Sequence, residues 1–269
     1  VVPPSLALGN EHARNLEAAV DAQFARCAAD VECTKRFGSP RERLDDLLQR
    51  LRQDPQRVTY RDPLTNEQRE DEFTDAALAA VVRFHSYAPQ LFGMLPMLLA
   101  EAASGQFGNL MAQSRMLEQL IGEQISVPLQ LSVMCTEDAP GMRVDPADAG
   151  TLLGTEFVEY TLAQCDVWPR GTMPKDFHDA VQSDLPVLLL SGELDPVTPP
   201  RYADEVRRTL PNSRHFVFRG QGHSVLGVGC GPRLVAEFIA AANAKALDGS
   251  CLDQLQYSPP FAGSYGWDP

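Results

Sequence analysis

The chain has 269 residues, 44% of them hydrophobic and 22% charged, with a formal net charge of -13. That length allows one large core or two smaller ones, and the composition is ordinary for a globular protein. The acidic balance argues against nucleic acid, which needs clustered Lys and Arg, and against anionic membrane surfaces; no apolar run approaches the ~18–20 residues of a membrane span.

Residues 11–26 place Leu16, Val20 and Phe24 on one helical face, and residues 41–52 repeat the pattern with Leu44, Leu47, Leu48 and Leu51. Val58-Thr59-Tyr60 followed by Asp62-Pro63-Leu64-Thr65-Asn66 predicts a short surface hairpin. Thr74 is placed to cap a helix bearing Leu78, Val81, Val82 and His85. Pro89 and Pro96 punctuate an apolar stretch ending at Gly105, and a further helix is predicted over 109–122. This block shows no βαβ alternation and reads as a helical module. Met94, Met97, Met111, Met116 and Met134 fall close together within it. They suit either a plastic substrate-lining surface or gap filling between helices, and the second is the simpler account.

After Trp168 the pattern changes. Leu185 to Leu190 is a continuous apolar run, as in a parallel strand buried on both faces. A helix follows over 200–210 with Ala203, Val206 and Leu210 inward, then a strand at His215–Phe218 and a helix over 231–247. Strand, helix, strand, helix is an α/β layer. The tail from 255 is expected to be an ordered surface extension.

Six cysteines occur, with no CxxC and no Cys–His spacing suited to zinc, so neither metal nor cofactor is expected. Cys27 and Cys33 are six apart, Cys230 and Cys251 bracket one predicted helix, and Cys135 and Cys165 remain as the third pair. Three disulfides in an exported, secreted or periplasmic enzyme is the reading this favours, against six buried thiols in a cytosolic one.

The chemistry concentrates at two strand ends. Asp195, in Gly192-Glu193-Leu194-Asp195-Pro196-Val197-Thr198-Pro199, lies just past one apolar run, and His223, in Gly220-Gln221-Gly222-His223-Ser224, lies 28 residues later, just past the next. Functional groups of parallel sheets collect at the carboxyl ends of strands, and neighbouring strands ~4.8 Å apart bring such loops within hydrogen-bonding reach. The pair is therefore expected to form the acid–base part of a Ser–His–Asp triad. Taken singly, Asp195 would pass for a turn aspartate and His223 for a loop histidine. His12, His85, His178 and His215 lack this setting and are assigned structural or surface roles. No Gly-x-Ser-x-Gly occurs, and Ser191 and Ser224 have no elbow around them.

The stretch from Asp184 to Cys251 resembles the C-terminal part of the tripeptidyl aminopeptidase-like family of α/β-hydrolases. The resemblance is carried by Pro186-Val187-Leu188 running into Gly192, by Asp195-Pro196-Val197-Thr198-Pro199, by Gly220 and Gly222-His223, and by Cys230 and Cys251. Val1-Val2-Pro3-Pro4 with the Cys27/Cys33 pair, Cys135-Thr136-Glu137-Asp138 and Cys165-Asp166-Val167-Trp168-Pro169 resemble further family landmarks.

The resemblance implies the C-terminal half of an α/β-hydrolase fold with a large helical cap. Residues 1–18 would lead from the core into the cap, 19–170 would form it, and 171–269 would return to the core with Asp195 and His223. It implies a secreted serine exopeptidase that removes short peptides or single residues from free N-termini. The nucleophile would lie outside these residues, so the missing N-terminal half becomes a partner and the chain alone is expected to be inactive and poorly soluble. The substrate ammonium would meet a carboxylate pair, for which Glu137 and Asp138 are the candidates; a solvated acidic turn is the alternative. An esterase or lipase-like hydrolase, or a non-catalytic binding protein on the same fold, are the competing functions.

Overall fold

The structure is a computed structural model that describes residues 1–261 and 266, apart from the side chains of residues 123 and 124. No described helix is long and apolar enough to cross a membrane. Contacts divide the chain into two compact units, Val20–Ser126 with Ser258–Pro269, and Val1–Ala19 with Val127–Tyr257. Helix α1 (His12–Ala29) runs through the division at Ala19.

The first unit is mainly helical. Asp30 caps α2 (Val31–Phe37) by accepting from the Cys33 N–H, and the Cys27–Cys33 disulfide closes the turn between α1 and α2. Ser39 and Pro40 start α3 (Pro40–Gln53), an N-cap followed by the one residue whose missing N–H costs nothing there. Leu44, Leu47, Leu48 and Leu51 are all buried, as their spacing predicts.

The hairpin forms between β1 (Gln56–Arg61) and β2 (Gln68–Phe73), paired antiparallel from Gln56↔Phe73 to Arg61↔Gln68. Its turn is built by the Asp62 carboxylate, which accepts from the N–H groups of Leu64 and Thr65, and by Asn66 at φ +58°. Strand β2 carries no hydrophobic alternation. Only Phe73 in it is buried, so pairing with β1, rather than any hydrophobic alternation, makes it a strand.

Thr74 caps α4 (Asp75–His85) through the Ala77 N–H. Helices α5 (Pro89–Phe92), α6 (Leu95–Ala103) and α7 (Gly108–Gln124) follow. Leu44, Phe73, Leu78, Leu95, Leu99 and Leu110 are almost fully buried and form the centre of this unit. Of the clustered methionines, Met111 is core and Met97 packs against the Cys27–Cys33 cluster, whereas Met116 is exposed; gap filling accounts for those that are buried.

The second unit carries α8 (Val127–Glu137) and α9 (Glu156–Val167), joined by the Cys135–Cys165 disulfide around Met134, Met142 and Val158. By contact, residues 127–170 group with the strand-bearing residues. Strand β3 (Val187–Gly192), α10 (Pro200–Val206), β4 (Ser213–Phe218) and α11 (Gly231–Ala241) complete the unit. β3 and β4 pair in parallel, from Val187↔Ser213 to Gly192↔Phe218. Phe216, Phe218 and Leu234 centre their core, and Cys230–Cys251 ties the start of α11 to the 3-10 turn at Ser250–Gln254. All six cysteines are thus paired as their spacing suggests.

Boundaries moved in three places. β3 starts at Val187, leaving Leu185 exposed, and its residues up to Leu190 are half-buried apart from Leu189. The helix predicted over 200–210 stops at Val206 and tightens into a 3-10 turn at Arg207–Thr209. The last helix ends at Ala241, because Ala242 turns left-handed at φ +48°. Of the tail expected to be an ordered extension, residues 262–265 and 267–269 lie outside the described residues.

His85, read from sequence as structural, is 1% exposed. Its Nδ1–H donates to the Val81 carbonyl at 2.9 Å, and its Nε2 is buried without a hydrogen-bond partner among the described residues. Burial pushes its pKa below the ordinary histidine value, so the native state favours the neutral ring. The unfolded chain then binds a proton that the folded chain refuses. Stability contributed by neutral His85 is complete above pH ~6.5 and is lost as the pH falls from there through the lowered folded value. Urea titrations between pH 7.5 and 5 are expected to show this loss in the wild type and to lose most of it in His85→Gln.

Candidate active site

The acid loop begins where β3 ends. Its course depends on the close approach of two backbones. A Cβ on Gly192 would lie 1.9 Å from the Gly222 carbonyl oxygen and 2.6 Å from that of Gln221. Only glycine lets β3 run this close to the loop that carries His223. The loops are then stitched by two backbone bonds, Leu194 N–H to the Gln221 carbonyl at 2.8 Å and Glu193 N–H to the Phe218 carbonyl at 3.1 Å.

This contact brings Asp195 and His223 together. His223 Nδ1 lies 2.9 Å from Asp195 Oδ2 and 3.1 Å from Oδ1. The carboxylate also accepts from the N–H groups of Val197 and Thr198 at 2.8 Å each and from the Thr198 hydroxyl at 2.9 Å. The acid is 5% exposed at its side chain, the imidazole 36%. Burial alone would raise the Asp195 pKa. The bonds from His223, Thr198 and Val197 outweigh it and hold the carboxyl below its ordinary range. An ionised Asp195 fixes the proton on Nδ1 and leaves Nε2 as the basic nitrogen. Ser224, directly after the imidazole, sits at φ +73°. A non-glycine residue there costs about 1–2 kcal/mol and marks a tightly determined turn.

Two residues that sequence reasoning passed over brace this arrangement. Glu193 accepts from the Gly220 N–H at 2.7 Å and from the Tyr257 hydroxyl at 2.9 Å, so it ties the acid loop to the histidine loop. Its place two residues before Asp195 was the available signal, but an exposed glutamate in a loop reads as solubilising. Gly220 itself, at φ +67°, has Tyr257 packed where a side chain would stand.

His215 is a finding of a different kind. Its Nε2 is 3.0 Å from the Ser191 hydroxyl and its Nδ1 is 3.1 Å from Asp204. This repeats the order of a triad, but Ser191 is 3% exposed and lies within β3. The series ties β3, β4 and α10 together. His178 Nδ1–H donates to the Pro4 carbonyl at 2.9 Å, and His12 stacks on Phe157.

Residues 151–251 match the family model described as TAP-like protein, an α/β-hydrolase family. The matched stretch contains both strands of the parallel pair, Asp195, His223 and the Cys230–Cys251 bridge. No curated protein matches the chain. The TAP-like match supports a hydrolase, and no group of His, Cys, Asp and Glu among the described residues could hold a metal ion.

The other predicted site residues lie elsewhere in the strand-bearing unit. Glu137 ends α8, and Asp138 follows in the turn. Asp138 Oδ1 accepts the Leu8 N–H at 2.7 Å, and Asn10 reaches across to Gly141 and Arg143, so this acidic turn anchors the segment leading into α1. Burial raises the Asp138 pKa, opposed by the Leu8 bond and the nearby His178. Glu137 is half-buried, with no hydrogen bond to its carboxylate among the described residues.

Gly192→Ala tests the backbone approach directly. It is expected to cost about 1–3 kcal/mol in urea unfolding, the range for a forced overpacking. A variant as stable as the wild type would show that the strand end and the histidine loop do not need this contact.

Proposed function

We propose that this chain supplies the acid and base of a secreted serine exopeptidase, an α/β-hydrolase that releases short peptides or single residues from free N-termini. The observation that carries the reading is the bond from His223 Nδ1 to a buried Asp195, between loops that leave two adjacent parallel strands within the TAP-like stretch. His223 Nε2 takes the proton of a serine hydroxyl as it attacks the scissile carbonyl, then returns it to the leaving amine. Asp195 holds the tautomer and stabilises the imidazolium. The serine comes from a Gly-x-Ser-x-Gly turn outside these 269 residues. Residues 171–269 are read as the C-terminal part of the hydrolase core and residues 19–170 as its cap.

The three disulfides support an oxidising, extracytoplasmic location. The substrate ammonium is assigned to the Glu137–Asp138 pair. Asp138 already spends one oxygen on Leu8, so Glu137 carries more of the recognition.

The test uses a polypeptide that joins this chain to an upstream nucleophile segment. It is expected to react with a fluorophosphonate and to hydrolyse peptides with free N-termini, whereas the 269-residue chain alone does neither. His223→Gln should lower kcat by about 10⁶-fold. Glu137→Gln should lower kcat/KM for free N-termini and leave N-acetylated peptides unaffected. A joined protein that cleaves short acyl esters but no peptides would replace the exopeptidase with an esterase. One that never labels would point to a binding protein.

A further inference from the structure

Asp195 is held by its own loop, and that loop is held from outside by a buried amide. Asn15, in α1, is 4% exposed. Its Nδ2 donates to the Val197 carbonyl at 3.3 Å and to the Tyr202 hydroxyl at 2.9 Å, and its Oδ1 accepts from Arg201 at 2.5 Å. Tyr202 and Arg201 in turn both reach Glu11, in the turn just before α1, at 2.7 Å each. Both amide hydrogens of Asn15 are therefore committed, and its oxygen faces a guanidinium.

The carbonyl of Val197 and the N–H of Thr198 are the two ends of one peptide plane. The carbonyl receives Asn15. The N–H donates to Asp195 Oδ1 at 2.8 Å. Asn15 thus orients and polarises the same peptide group that holds the acid, and hydrogen bonds linked in this way strengthen one another. The chain of bonds runs from Arg201 through Asn15, the 197–198 peptide and Asp195 to His223 Nδ1.

We infer that Asn15 is a positioning residue for the acid–base pair, setting the Val197–Thr198 peptide that aims the Asp195 carboxylate at His223. This rests on the reading of Asp195 and His223 as acid and base. Glu11 and Tyr202 hold the amide in place. Burial and the bond to Glu11 push the Tyr202 hydroxyl up to about 12, so it stays protonated throughout the neutral range.

The experiment follows the downfield Nδ1–H proton of His223 by NMR in the full 269-residue chain, assigned by its disappearance in His223→Gln. Asn15→Ala is expected to move this resonance upfield or lose it to exchange broadening, with circular dichroism unchanged. Asp195→Asn is expected to abolish it. If Asp195→Asn leaves the resonance in place, or the unmodified chain lacks it, the acid–base pairing itself is wrong. If Asp195→Asn removes it and a folded Asn15→Ala does not move it, only the role of Asn15 falls. Should Asn15→Ala fail to fold, Tyr202→Phe takes its place, keeping the ring and removing the hydroxyl that fixes the amide. An upfield shift there supports the role of Asn15, and an unmoved resonance overturns it.

Discussion

The Asp195 carboxylate organises the candidate site because it accepts from four donors in a nearly water-free position. Three of them, the N–H groups of Val197 and Thr198 and the Thr198 hydroxyl, come from its own loop, and the fourth is His223. Burying a carboxylate is costly unless its lone pairs are met, and here the donors more than offset the loss of water. The charge is thereby kept, which lets the acid hold the imidazole in one tautomer.

The same unit shows how much ordinary structure stands behind that one bond. Two short parallel strands set the separation of the loops, a glycine without a side chain lets them touch, and Glu193 braces them through the Gly220 N–H. The core under the strands is apolar and small, and the Cys230–Cys251 bridge closes it at the start of α11. Cys135–Cys165 does the same for α8 and α9. These crosslinks span sequence separations of 21 and 30 residues and stabilise by restricting the unfolded chain.

The Asp204–His215–Ser191 series shows why residue types alone do not make a site. Asp204, His215 and Ser191 have hydrogen bonds as good as those of Asp195 and His223. Ser191 is nevertheless enclosed within a strand, and its hydroxyl cannot reach a substrate. The difference lies in exposure and placement. The His223 ring stands at a strand end and keeps about a third of its side-chain surface, whereas that of His215 is 2% exposed.

Much was legible in the chain order. The leucine spacing of α3, the Thr74 cap, the Asp62 turn, the cysteine pairs and the two apolar runs ending in Asp195 and Gly222-His223 are local patterns, and local patterns follow from periodicity and turn chemistry. The ends of α10 and α11, the brace at Glu193 and the reach of Asn15 to Val197 were not legible. The last two depend on partners distant in sequence: Glu193 on Tyr257, Asn15 on a loop 182 residues away. Composition and spacing determined which side chains could perform acid–base chemistry and how the cysteines would pair. Only the tertiary structure decided which histidine meets which carboxylate with its ring exposed, because hydrogen bonds need atoms within about 3 Å, and folding, not sequence spacing, sets that distance.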